Sequence, residues 1–182
     1  MSLQGKVALV TGASRGIGKA IAQQLAAQGA TVIGTATTAT GAEAITAYLQ
    51  GMDAKGAGMA LNVTDVASLD GFLAQVQAEF GAPVILVNNA GITRDGLLLR
   101  MKEDDWDAVI NTNLSAIFRL SKACLKGMSK ARWGRIINIS SVVGQMGNAG
   151  QCNYAAAKAL LDDAIANGVT ASGKKYALGN YA

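Results

Sequence analysis

The chain has 182 residues, 51% of them hydrophobic, with 22 glycines, one proline and a formal net charge of +4. That length suits one domain with a sizeable core, and no run approaches ~18 uninterrupted apolar residues, so no membrane-spanning helix is predicted. There is no histidine, which excludes His-based triads and His-ligated metal sites, and two cysteines, Cys124 and Cys152, form no disulfide framework and point to a reducing cytoplasm.

The chain enters a strand almost at once, so no signal peptide is predicted. The apolar run Val7–Val10 reads as a buried strand. A turn with Gly12, Gly16 and Gly18 follows, and then an amphipathic helix with Ile17, Ala20, Ile21 and Leu25 on one face. Strand, glycine turn and helix N-terminus together can grip an anion, because backbone N–H groups and the helix dipole face outward there. Glycines let the backbone close around a pyrophosphate. Taken alone, the same turn also fits an ordinary strand–helix connection. Thr31–Thr35 reads as a second strand. A dinucleotide site for NAD carries an acidic residue about 20 positions past the glycines, to hold the ribose 2′-hydroxyl. From Lys19 to Ala42 there is none; Thr35, Thr37 and Thr38 stand there, with Arg15 nearby in the turn. This favours NADP over NAD.

A helix is predicted around Glu43–Leu49 and a third strand near Met59–Leu61, followed by Asn62, Val63 and Asp65. Asp65 suits an N-cap. The next helix carries Leu69, Phe72, Leu73, Val76 and Phe80, and ends at Gly81 and Pro83. Val84–Val87 is a fourth strand, closed by Asn88-Asn89-Ala90-Gly91. A long helix is expected from near Glu103–Asp105 toward Met128, with an apolar stripe of Trp106, Val109, Ile110, Ile117, Leu120, Cys124 and Met128. Asn113 falls on that stripe, where a buried amide needs partners. It is either a satisfied core asparagine or a functional one. Ile136–Ile139 is a fifth strand ending in Ser140 and Ser141, and a last helix near Asn153 carries Tyr154 and Lys158.

Every predicted strand is apolar and stops at small or polar residues. Such runs fit an α/β fold, a three-layer doubly wound parallel sheet covered by helices on both faces. Ligands then bind beyond the carboxyl ends of the strands, where the polar residues collect. Lys122, Lys126 and Lys130 share one helix face near Arg132 and Arg135. They form either a solvated face or a landing site for an anionic partner. No interleaved aromatics accompany them, so nucleic acid is not expected.

Tyr154 and Lys158 are one helical turn apart. An ammonium beside a phenol favours the phenolate, and such a phenol can give a proton to a carbonyl oxygen as hydride arrives. Ser141, 13 residues upstream, could hold the same oxygen. Tyr-x-x-x-Lys by itself also fits an amphipathic tyrosine and a surface lysine. Cys152, two residues before Tyr154, reads as a small gap-filling thiol rather than a redox group.

Taken jointly, Thr11-Gly12-Ala13-Ser14-Arg15-Gly16-Ile17-Gly18, Asn88-Asn89-Ala90-Gly91, Asn113, Ser141, Tyr154 and Lys158 resemble the classical short-chain dehydrogenase/reductase family. Within it, Asn88–Asp95, Ser141–Gly147 and Gly150–Lys158 are similar to the bacterial ketoreductases of fatty acid synthesis. The resemblance implies a Rossmann-type domain and a cytoplasmic homo-oligomer, dimer or tetramer. The implied reaction is NADPH-dependent reduction of a 3-oxoacyl thioester on acyl carrier protein. It implies Tyr154 as general acid, Lys158 on the nicotinamide ribose, Ser141 on the substrate carbonyl and Asn113 supporting a water in the proton relay. Cofactor contacts are implied for Gly12, Ser14, Arg15, Gly16, Ile17, Gly18, Thr37, Asn62, Val63, Asn89, Ala90 and Gly91. Arg132 matches a position that docks the acidic carrier protein.

The resemblance fades after about Ala159. Family members continue through a Pro-Gly turn and further strands, whereas the one proline here is Pro83. The expected organisation is an NADP-binding domain over 1–168 and a divergent tail over 169–182, with the sheet ending after the fifth strand and its helix. The alternative reading is a catalytically impaired NADP-binding module or an interaction protein.

Overall fold

The computed structural model describes residues 2–167, with side chains as far as Leu161. The predicted tail, 169–182, lies outside the described residues. In chain order the elements are β1 (Val7–Val10), α1 (Gly16–Ala27), β2 (Thr31–Ala36), α2 (Ala39–Gln50), β3 (Gly56–Ala60), α3 (Val66–Phe80) and β4 (Ile85–Asn88). A 3-10 turn at Leu98–Arg100 leads to α4 (Glu103–Ile110), a π turn (Asn111–Ser115), α5 (Ala116–Ala131), β5 (Arg135–Asn138), α6 (Val143–Met146) and α7 (Cys152–Asn167).

The five strands form one parallel sheet in the order β3-β2-β1-β4-β5. Successive side chains of a strand face opposite sides, so β1 feeds two cores. Val7 and Leu9 join Leu86, Phe72 and Val76 of α3, and Leu120, Cys124 and Met128 of α5. Ala8 and Val10 join Ala22 and Ala26 of α1, and Ile45 and Leu49 of α2. This is the expected three-layer arrangement. Each large aliphatic side chain fully buried here contributes about 1.5–3 kcal/mol. Chain order reverses beside β1: β2 lies on one flank and β4 on the other. The crevice above that point is where such sheets take ligands.

Three local expectations need correction. On α1, Ile21 and Leu25 pack against the core as expected, but the buried positions are Gly18, Ala22 and Ala26, whereas Ile17 is 62% exposed and Ala20 is exposed. At Gly18 the helix lies so close to the turn that a side chain would strike the Gly12 carbonyl, which turns Ile17 outward. The third strand runs over Gly56–Ala60, earlier than Met59–Leu61. Its glycines hide the strand pattern, but Gly58 lies where a side chain would strike the carbonyl of Ala42 in α2. The long helix toward Met128 runs on through a π turn at Asn111–Ser115, and its expected stripe is buried at Val109, Ile117, Leu120, Cys124 and Met128, but Trp106 at its start is exposed. Other local signals stand as expected. Asp65 caps α3, its carboxylate accepting from Ala67 N at 3.1 Å and Ser68 N at 3.4 Å. Gly81 ends α3 with φ +98°.

The two thiols are sharply unequal. Cys124 is in the core and burial pushes its thiol up to about 12, while Cys152 is exposed. At about pH 8 a chromogenic disulfide reagent is expected to titrate one thiol in the native protein and a second only after unfolding. The unfolded chain releases the Cys124 proton near 9 and the folded state holds it to about 12. The contribution of this group is therefore full below about 9, and it declines as pH climbs toward about 12. Two reactive thiols in the folded protein would contradict this packing.

Candidate functional site

The site is built on the carboxyl ends of β1, β4 and β5. Gly12 and Gly16 take φ of +65° and +56°, values open to glycine at no steric cost. At Gly18 a side chain would run into the carbonyl of Gly12 and the amide of Asn89. Helix α1 has no side-chain cap at Arg15 and no acidic residue in its first turn. Its first N–H groups thus face the crevice without a side-chain acceptor, as an anion-binding N-terminus requires.

Thr11 ties this turn to β4. Its hydroxyl donates to Val87 O at 3.3 Å and accepts from Asn89 N at 3.0 Å and Ala90 N at 2.9 Å. Asn89 returns the tie: its Nδ2 donates to Thr11 O at 2.9 Å and Gly12 O at 3.0 Å. Tyr48 of α2 closes the other side by donating to Ala13 O at 3.1 Å, and burial pushes its phenol up to about 12. Arg15 and Thr37 are exposed beside the turn. Thr38 is engaged, its hydroxyl accepting from Gly41 N at 3.1 Å as the cap of α2. At the end of β3, Asn62 Oδ1 accepts from Thr64 N at 3.1 Å and from the Thr64 hydroxyl at 2.9 Å. Val63 turns its side chain into the core, leaving its backbone at the rim.

Asn113 is fully buried and doubly paired. Its Nδ2 donates to Ile92 O at 2.8 Å and its Oδ1 accepts from Ile92 N at 2.9 Å. The amide thus acts as one strand residue pairing with the segment after Gly91. The π turn around it is the local widening that such an insertion produces.

Lys158 is 5% exposed, which removes the surface-lysine reading. Its Nζ donates to Ile139 O at 2.7 Å and lies 5.7 Å from the centre of the Tyr154 ring. Ile139 N in turn donates to Asn88 O at 2.9 Å. A seam of hydrogen bonds, carried across the Asn88–Asn89 peptide link by the chain itself, therefore runs from the glycine turn and Thr11 to Ile139 and Lys158. Ser141 starts the turn into α6, its hydroxyl accepting from Val143 N at 3.2 Å. Helix α6 packs on α7 so tightly that a side chain at Gly144 would meet the Lys158 backbone at 2.8 Å.

The family model for short chain dehydrogenase matches residues 6–169. The chain belongs to this family. It is 64% identical over 162 residues to the 3-oxoacyl-[acyl-carrier-protein] reductase FabG of Pseudomonas aeruginosa, covering 89% of this chain and 66% of that one. It is 64% identical over 159 residues to the reductase of the same name from Escherichia coli K12, covering 87% of this chain and 64% of that one. The Vibrio harveyi protein of that name is 65% identical over 159 residues, with the same coverage of 87% and 64%. The chain thus spans a little under two thirds of the length of these relatives.

In this chain the turn, the Asn-Asn-Ala-Gly segment, Asn113 and Lys158 are brought together by the bonds above. Arg132 is not. It ends α5 in a left-handed conformation, φ +51°, at the amino end of β5, the length of the strand away from Ser141. Thr11 and Asn153 also build the site, through partners that the sequence pattern does not show. Thr11 lay inside the turn motif, and Asn153 directly before Tyr154, but nothing local announces partners so distant in sequence.

Proposed function

We propose that the protein is an NADPH-dependent reductase of 3-oxoacyl thioesters carried by acyl carrier protein, working in the cytoplasm in fatty acid biosynthesis. The reading rests on the seam that links an uncapped, glycine-lined helix N-terminus to a buried lysine under a tyrosine ring. The turn fits a dinucleotide: positive φ at Gly12 and Gly16 and the missing Cβ at Gly18 leave backbone N–H groups clear for a pyrophosphate. Gly12, Ser14, Gly16, Ile17 and Gly18 would hold it, with Asn62, Val63, Ala90 and Gly91 along the nucleoside halves. Arg15 and Thr37 would meet a 2′-phosphate, and no acidic residue stands between Lys19 and Ala42 to repel it.

NADPH supplies the hydride when bound. Tyr154 gives its hydroxyl proton to the ketone oxygen, which Ser141 holds. Lys158, steadied by Ile139 O, would stabilise the phenolate left behind and would hold the ribose hydroxyls of the cofactor. Asn89 and Asn113 act through the backbone they fix, Asn113 by holding the wall at Ile92. Arg132, with Lys126 and Lys130 exposed on the last turns of α5, offers a cationic surface for an acidic carrier. Self-association is assigned to α5, where Phe118 is 65% and Leu125 43% exposed.

The test follows NADPH absorbance with acetoacetyl thioester, free and on acyl carrier protein. Oxidation is expected with both substrates, faster with NADPH than with NADH, and the carrier-bound form is expected to lose efficiency in Arg132→Glu. Dinucleotide binding with no oxidation of either substrate would overturn the enzymatic reading and leave the binding module.

A further inference from the structure

Asn153 stands out because its whole amide is consumed. The residue is 0% exposed. Its Nδ2 donates to Arg94 O at 3.0 Å and Asp105 O at 3.3 Å, and its Oδ1 accepts from Tyr154 N at 2.8 Å. An asparagine amide has two donor hydrogens and one carbonyl, so each hydrogen serves a different segment and the oxygen satisfies a first-turn N–H that a helix leaves unpaired. Three pieces meet at this point: the segment leaving Gly91, the first turn of α4 and the start of α7.

Further bonds run alongside. Gly96 N donates to Gly150 O at 2.8 Å, and Gln151 Nε2 donates to Asp95 Oδ1 at 3.0 Å. Arg94 and Asp105, whose carbonyls Asn153 holds, are themselves paired by Nε and Oδ1 at 3.9 Å, with both side chains about half exposed. A solvated pair of that kind holds little; the buried amide makes the shorter and drier connection.

We propose that Asn153 is a positioning residue for Tyr154. Its amide straps the start of α7 to segment 94–96 and to α4, and so sets where the phenol stands relative to Ser141 and Lys158. Asn153 touches neither substrate nor cofactor. This inference rests on the reductase reading for its catalytic consequence, but the strap itself is a statement about the fold. The remaining oxygen acceptor could be kept by aspartate, yet a carboxylate has no hydrogen to give and would face two carbonyl oxygens. Asn153→Asp therefore cuts the strap while keeping the cap on Tyr154 N.

The experiment compares the parent protein with Asn153→Asp and Asn153→Ala by amide hydrogen exchange and by steady-state kinetics. In the parent, the Asn153 side-chain amide and the Tyr154 N–H are expected to exchange slowly. In both variants exchange is expected to rise about tenfold or more at 94–96 and 152–154, while β1 and β4 keep their protection. The kcat is expected to fall about 100-fold, the scale of a catalytic group displaced by about 1 Å, with the dissociation constant for NADPH within about threefold of the parent. Fast exchange of the parent's Asn153 amide would overturn the proposal without any variant. So would variants that unprotect the whole sheet, or folded variants of an active parent that keep kcat. A parent with no reductase activity but with the localised exchange pattern would sink the reductase reading and leave the strap standing.

Discussion

Tyr154→Phe is expected to lower kcat by about 10³-fold while leaving NADPH affinity and the unfolding midpoint nearly unchanged. Removing a positioned proton donor costs about 10²–10⁴-fold. The ring is half-buried and stacks against the Lys158 ammonium at 5.7 Å, and phenylalanine keeps that ring and its contact. The lysine is held independently by Ile139 O at 2.7 Å, so the cation stays in place when the hydroxyl goes. The measurement is a kinetic series on 3-oxoacyl thioester beside a fluorescence titration with NADPH. A variant with more than a tenth of the parent's kcat would take the proton from another group, and Tyr154 would lose its role as acid.

Gly18→Ala is expected to damage stability and cofactor binding together. The new Cβ would collide with the carbonyl of Gly12 and the Nδ2 of Asn89, both on the backbone-bound side of the turn. Asn89 Nδ2 cannot move away without giving up Thr11 O and Gly12 O, its acceptors at 2.9 and 3.0 Å. Overpacking of this kind costs about 1–3 kcal/mol, and a polar group pulled from its partner adds about 1–3 kcal/mol. For a chain of this size that lowers the unfolding midpoint by roughly 4–24 °C. The dissociation constant for NADPH is expected to rise at least tenfold, because the same shift moves the N–H groups of the first turn of α1. Gly16→Ala is the control. Its Cβ would meet nothing within 4 Å, although its φ of +56° still disfavours alanine, so the cost is limited to about 1–2 kcal/mol of backbone strain. Equal loss of NADPH affinity in both variants would mean that strain, not the contact with Asn89, governs the turn.

The sequence by itself determined what depends on neighbours a few residues apart. Five apolar runs punctuated by polar residues predict a parallel sheet with its ligand edge, and the structure has that sheet in the order β3-β2-β1-β4-β5. The cap at Asp65, the stop at Gly81 and the shared face of Tyr154 and Lys158 are local facts of the same kind. Only the tertiary structure decided which polar atoms answer one another. Thr11 and Ala90 are 79 residues apart, Asn113 and Ile92 are 21, and Asn153 reaches Arg94 across 59. A composition or periodicity signal fades within a few turns, whereas a buried amide must find its partner wherever the fold brings one. That is why Asn113 reads as an anomaly on an apolar stripe and proves to be a clasp on Ile92 that opens the helix into a π turn. It is also why the motif alone leaves a surface lysine open at 158 while the fold buries Lys158, and why α1 buries Gly18, Ala22 and Ala26 and turns Ile17 outward: closeness between segments far apart in the chain chose the buried face.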